Sequence, residues 1–274
     1  MKKKIRLVAA DIDRTLEAFL EPLPEINKKA MEALHEKGIL FALASGRSVP
    51  QLRTKVQEWG LNFEPELLIG INGQTIYDGI EKKEESLLIL EKEWVKEILD
   101  FLESYGYDYH AYIDGYTLFR YNGSYFYRVF KQVERDVRLA DSPADFLKGA
   151  FYKFLLLKNE EEMKEVIERM RPLLEKHQDH FKILRTTPEC HEIVHARASK
   201  AYPLKIFCER HNIALEAVAA FGDAENDNEM LMISGLGICL RDGEEGTKQI
   251  ADRLTDKDCR EGGFGDFVMK HILQ

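Results

Sequence analysis

The chain is poor in the features that would tie it to export, membranes or nucleic acid. Its four cysteines, Cys190, Cys208, Cys239 and Cys259, stand far apart, form no C-x-x-C pair and outline no disulfide framework. A reducing cytoplasm is the expected compartment. Met1-Lys2-Lys3-Lys4 imitates the basic start of a signal peptide, but the apolar run behind it carries Arg6 and meets Asp11 too early for export. No apolar stretch approaches the length of a membrane span. A surplus of basic charge is also lacking: 39 basic residues face 48 acidic ones, and a net charge of −9 argues against holding nucleic acid by phosphate neutralisation. An anionic substrate must therefore be attracted locally. Internal repeats, low-complexity tracts and Pro/Ser-rich linkers are missing.

What is present starts with size, since 274 residues allow one large domain or two ordinary ones with a substantial core. Residues 8–16, VAADIDRTL, form an apolar β-prone run ending in two carboxylates. A strand alternates its side chains, so Asp11 and Asp13 can face one ligand while Ile12 turns to the core. The same stretch also reads as a strand that stops at a polar turn, with Asp13 capping a helix. Segments further along the chain separate the two readings.

Residues 24–37 place Ile26, Ala30, Ala33 and Leu34 at helical spacing before Gly38, and residues 39–44 are a continuous apolar strand ending in Ser45-Gly46-Arg47. A helix over 49–59 and a buried strand over 67–71, closing on Asn72-Gly73, continue the alternation of a doubly wound sheet. The charge run 81–85 then marks a change of texture and a domain boundary. Residues 94–105 read as helix, and 107–130 as a three-stranded meander with turns at Asp114-Gly115 and Asn122-Gly123. Strands at 150–157, 181–185 and 192–195 and a helix at 160–177 complete this stretch. Eight of the eleven tyrosines fall between Tyr105 and Tyr127, which reads first as cross-strand packing and second as surface for a substrate ring. Past residue 197 the alternation returns, with helices at 200–211, 228–233 and 246–251 and strands at 217–221 and 236–240. The fold class is α/β: a doubly wound, Rossmann-like parallel sheet interrupted by an α+β insert.

Three later segments offer what an aspartate attacking a phosphate needs. The Ser45 hydroxyl lies beside the amides of Gly46 and Arg47, able to hold a phosphate oxygen, although Ser-Gly is more often only a turn. Lys200, after Ser199, stands at a helix start where a cation invites an anionic partner, against the ordinary solvated lysine. Asp223, in the loop GDAEND after an apolar strand, joins Asp11 and Asp13 as an oxygen ligand suited to Mg²⁺. Glu225 and Asp227 there are equally explained as acids compensating a helix dipole.

These residues, in this order, resemble the haloacid dehalogenase superfamily of aspartate-nucleophile phosphatases, and within it the Cof-like sugar-phosphatase branch. Asp11-Ile12-Asp13-Arg14-Thr15-Leu16 is similar to the family's first motif, Ser45-Gly46-Arg47 to its second, Lys200 to its third, and Gly222-Asp223 with Asn226-Asp227 to its fourth. The resemblance implies that Asp11 becomes an aspartyl-phosphate and that Asp13 works first as acid, then as base. It places Mg²⁺ on Asp11, the main-chain carbonyl of Asp13, and Asp223. It puts the phosphate on Ile12, Ser45, Gly46, Lys200 and Asn226, with Arg47 and Asp227 supporting. It also implies a discontinuous core, 1–83 and 193–274, and a cap, 84–192, that chooses the substrate and flexes at hinges near 83 and 192. The expected partner is a small phosphorylated metabolite; the expected assembly is a monomer or weak homodimer. Two departures stand out: Arg14 where the family usually has Gly, and Ser45 in place of Thr.

One rival lies in His191-Glu192-Ile193-Val194-His195, which matches the H-E-x-x-H pattern of zinc peptidases. That motif needs a helix, whereas this segment follows Pro188 and centres on a β-branched pair, as a strand does. Histidines four apart on a strand are roughly 13 Å apart, too far to share one metal. A catalytically silent binder of phosphorylated metabolites would often lack Asp13 or Lys200, and both are here. A phosphomutase usually carries a smaller helical cap inserted earlier.

Overall fold

The computed structural model describes residues 4–18, 21–123, 125–133, 136–187 and 189–274; the basic start at 1–3 and Pro188 lie outside them. The chain forms two compact units, one of residues 1–87 with 199–274 and one of 88–198. Unit limits thus fall a few residues beyond 83 and 192. The charged run does not end the first unit, because Lys83–Ser86 pairs as an edge strand, and Cys190–His195 belongs wholly to the second.

In the first unit, β1 (Leu7–Ala10), α1 (Glu25–Glu36), β2 (Leu40–Ala44), α2 (Val49–Glu58), β3 (Leu67–Gly70), β4 (Thr75–Asp78) and β5 (Lys83–Ser86) come before the second unit. That second unit is built of α3 (Lys92–Ser104), β6 (His110–Ile113), β7 (Tyr116–Phe119), α4 (Tyr125–Val133), β8 (Val137–Leu139), β9 (Phe151–Leu157), α5 (Glu160–Lys176), β10 (Phe181–Thr187) and β11 (Cys190–His195). The first unit resumes with α6 (Ala201–Arg210), β12 (Val218–Gly222), α7 (Asn228–Ile233), β13 (Leu236–Cys239), α8 (Glu245–Ile250), β14 (Arg253–Leu254) and α9 (Gly263–Phe267).

The first unit is an eight-stranded sheet in the order β14-β13-β12-β1-β2-β3-β4-β5. Pairing is parallel from β14 to β3 and antiparallel at β3–β4 and β4–β5. β1 is apolar throughout because both its faces are covered. Val8 and Ala10 pack with Ala30, Met31 and Leu34 of α1, whereas Leu7 and Ala9 pack with Leu204 and Phe207 of α6 and Met230 of α7. From β1 the chain winds one way to β2 and β3 and later the other way from β12 to β13, so the order reverses between β1 and β12. Such a reversal opens a crevice at the carboxyl ends of the strands, where open α/β sheets bind ligands. No helix of the described residues is long and apolar enough to cross a membrane.

The second unit has a six-stranded sheet, β10-β11-β9-β6-β7-β8, with its own core of α3, α5 and sheet residues. The expected third strand of the meander is instead α4. Its aromatic run is strand-like in composition, but Tyr127 and Phe130 sit three apart, the spacing of one helix face, and both pack on Phe119. β7 pairs with β8 in parallel. The tyrosines pack mainly on neighbours: Tyr105 stacks on Tyr107, and Tyr109 lies against Phe146 and Phe154. His191 and His195 are on β11, a strand, and neither belongs to a metal-ligating group among the described residues.

Candidate active site

β1 delivers Asp11 to the carboxyl edge of the sheet: the Asp11 amide still donates to the carbonyl of Phe221 at 3.1 Å, and the chain then turns sharply. Three amides, of Thr15, Leu16 and Glu17, converge on the carbonyl of Ile12, whose side chain is fully buried. The turn puts Arg14 in the left-handed region at φ +64°, which explains why glycine is the easier residue there.

Lys200, just ahead of α6, is fully buried and donates from Nζ to Asp11 Oδ1 and to Asp227 Oδ1, each at 2.6 Å. Asp227 is fixed in turn by its Oδ2, which accepts the amides of Asp223 and Ala224 at 3.0 and 3.3 Å. This closeness requires Gly222, since a Cβ there would lie 2.4 Å from the Cβ of Asp227. Asp223 Oδ1 accepts the Thr15 hydroxyl at 3.1 Å, and the Arg14 Nε stands 3.6 Å from Asp223 Oδ2. Four residues from opposite ends of the chain thus form one buried charged cluster.

That cluster holds more negative than positive charge. Asp11, Asp223 and Asp227 each present an oxygen within 4.8 Å of the others, against one ammonium. Burial first, then the neighbouring carboxylates, raise the Asp11 pKa well above the usual range despite Lys200. Burial and Asp227 push Asp223 up to about 7, opposed by Arg14, Lys200 and the Thr15 hydroxyl. For Lys200 burial acts to lower the pKa, but Asp11 and Asp227 outweigh it and hold the group above its ordinary value. Oxygen-only donors carrying surplus negative charge suit a hard cation, which would relieve both raised carboxylates.

Around this cluster two further associations form. Ser45, nearly fully buried, accepts the Arg47 amide on its hydroxyl at 3.3 Å, and its carbonyl accepts the Asn72 amide at 2.9 Å. The Asn72 carboxamide oxygen accepts from Asn226 Nδ2 at 3.3 Å, linking the Ser45 loop to the Asp223 loop. Gly46 passes so close to Asn72 that a Cβ would meet its Nδ2 at 3.2 Å. Asp13 faces elsewhere: its Oδ1 and Oδ2 accept from Nη2 and Nε of Arg47 at 2.5 and 3.2 Å.

Asp11, Lys200 and Asp223 are therefore gathered as expected, with Asp227 beside them rather than acting only as a dipole-compensating acid. Ser45 and Asn226 join through Asn72, which in the sequence reads only as a turn. The side chain of Asp13 is not among the three clustered carboxylates. Thr15 is a member that sequence reasoning misses, and its position two residues past Asp13 in the turn is the one signal that could have found it.

The haloacid dehalogenase-like hydrolase family matches residues 8–268. A Bacillus subtilis protein named 5-amino-6-(5-phospho-D-ribitylamino)uracil phosphatase YcsE is 23% identical over 263 residues, covering 94% of this chain and 92% of that protein. The phosphatase YwpJ of the same organism is 24% identical over 300 residues, covering 98% of this chain and all of YwpJ. The solved structure of the subclass IIB sugar phosphatase BT4131 superposes with a TM-score of 0.81 at 21% identity, covering 98% of this chain and 100% of that one. The fold is thus shared along nearly the whole length, and with the match from strand β1 to the end of α9 the chain belongs to the haloacid dehalogenase-like hydrolases.

Proposed function

We propose that the protein is a Mg²⁺-dependent phosphatase of small phosphorylated metabolites that works through an aspartyl-phosphate on Asp11. The observation that carries this reading is the buried bridge from Asp11 through Lys200 to Asp227, at the mouth of a sheet whose order reverses there. Asp11, the carbonyl of Asp13, and Asp223 would hold the cation, with Asp227 next to them. When bound, Mg²⁺ supplies positive charge to the phosphoryl oxygens and lowers repulsion between the phosphate and Asp11.

In the first step Asp11 Oδ2, the oxygen that Lys200 does not hold, attacks phosphorus, and the bond to the leaving alcohol oxygen breaks. Asp13, released from Arg47, gives that oxygen its proton. In the second step Asp13 takes a proton from water, the water oxygen attacks phosphorus, and the bond to Asp11 breaks to free phosphate. Lys200, the Ser45 hydroxyl, the Ile12 and Gly46 amides and Asn226 steady the equatorial oxygens. Splitting the displacement in two lets each carboxylate perform one job at a time.

Two comparisons favour sugar-like phosphomonoesters: YcsE is named as the phosphatase of a phosphoribityl compound and BT4131 as a sugar phosphatase. Choice among them is assigned to the second unit, 88–198, acting as the cap. A cytoplasmic monomer or weak homodimer is the accompanying proposal. The test is hydrolysis of p-nitrophenyl phosphate with Mg²⁺ and with EDTA, by wild type and Asp11→Asn, then a panel of sugar phosphates. Turnover that needs Mg²⁺ and disappears in Asp11→Asn is expected; turnover that survives the substitution refutes the nucleophile.

A further inference from the structure

Arg14 holds a left-handed backbone at φ +64°, a conformation that crowds the Cβ of a non-glycine residue. A strained residue at a reactive site calls for an explanation from its side chain. The guanidinium is half exposed, lies 3.6 Å from Asp223 Oδ2 through Nε, and reaches the carbonyl of Asp242 through Nη2 at 3.4 Å. It comes from the turn that carries Asp13 and meets the loop that carries Asp223, so it spans the mouth of the acidic cluster. Lys200 already serves Asp11 and Asp227, while the Thr15 hydroxyl takes Asp223 Oδ1. The remaining Asp223 oxygen faces Arg14.

We infer that Arg14 is a tethered cation which competes with the divalent ion for Asp223 and draws phosphate oxygens to the same mouth. The inference rests on the metal-dependent phosphatase reading. With glycine in this place, the cluster has three carboxylates and one ammonium; with arginine it has one more positive charge, fixed at the edge and always ionised. A like charge a few ångströms from a bound cation weakens it, and the same charge strengthens an arriving phosphate dianion. The two effects have opposite signs, which a purely structural role for Arg14 would not produce.

The experiment is isothermal titration of Mg²⁺, and then of inorganic phosphate at saturating Mg²⁺, into wild type, Arg14→Gly, Arg14→Ala and Arg14→Lys, with melting curves to confirm folding. Gly and Ala variants are expected to bind Mg²⁺ about tenfold more tightly and phosphate about tenfold more weakly, with Lys close to wild type. Arg14→Ala retains the backbone penalty and loses the charge, so agreement between Ala and Gly identifies charge as the cause. Gly and Ala variants whose Mg²⁺ affinity is unchanged or weaker overturn the inference while wild-type turnover still stands. A wild type that binds no Mg²⁺ overturns both this inference and the metal-dependent reading.

Discussion

The guanidinium of Arg47 clasps the carboxylate of Asp13 through two hydrogen bonds, at 2.5 and 3.2 Å, across 34 residues of sequence. In the reaction proposed above, Asp13 must let go of Arg47 before it can serve a leaving group. Asp13→Asn is therefore expected to lower kcat by about 10²–10⁴-fold. An alkyl phosphate should suffer more than an aryl phosphate, whose leaving oxygen needs less protonation. Equal losses on both substrates would remove Asp13 from the acid role.

Lys200 is fully buried between its two carboxylate partners. Lys200→Met leaves Asp11 and Asp227 buried without their shared ammonium, and breaking a buried ion pair from one side costs about 3–5 kcal/mol. The urea midpoint in EDTA should drop accordingly, and Mg²⁺ should restore part of it. A midpoint within about 1 kcal/mol of wild type, the value of a surface pair, would contradict the bridge.

Asn72 sits in a run of left-handed residues, Ile71 at φ +51°, Asn72 at +50° and Gly73 at +93°, with Gly73 so tight that a Cβ would lie 1.9 Å from the Ser199 carbonyl oxygen. Asparagine tolerates this backbone and also links the Ser45 loop to Asn226. Asn72→Gly keeps the backbone easy and removes the carboxamide; Asn72→Ala removes both. Stability should fall by about 1–2 kcal/mol in Ala and less in Gly, while kcat falls in both. A Gly variant with wild-type kcat would limit Asn72 to a backbone role.

His110 on β6 stacks on Phe119 at 4.3 Å and meets Phe130 edge-on, with Nε2 buried and unpartnered among the described residues. Burial, with Lys153 adding, pushes its pKa down from 6.5 to about 3. The unfolded chain then binds a proton that the folded one refuses between these values, so stability is full above pH 6.5 and declines as pH falls. The slope reaches about 1.4 kcal/mol per pH unit. Between about pH 7 and 5 the wild type should lose about 2 kcal/mol more than His110→Phe, measured by urea midpoints. Parallel losses would deny the histidine this part.

Much of this can be read from residues alone, and the reason is local. β1, β2 and β12 are apolar runs closing on polar residues, and the parallel sheet that buries such runs also sets Asp11, Ser45 and Asp223 at its carboxyl edge. What stays hidden depends on partners distant in sequence. Arg47 clasping Asp13, Asn72 touching Asn226 and Asp227 sharing Lys200 each need the finished fold. α4 is hidden for a different reason: an aromatic run satisfies strand and helix periodicity alike until its contacts with Phe119 choose between them. β5 is masked by charge, the usual dress of an edge strand.

Because Leu7 pairs with Leu40 on one side and with Val218 on the other, a ribosome making this chain exposes an oily ribbon with one open flank for the time taken to add roughly two hundred residues. At bacterial or eukaryotic synthesis rates that interval is about ten to forty seconds. Until Val218 arrives that flank of β1 has no strand beside it, so truncation before Val218 should yield insoluble material.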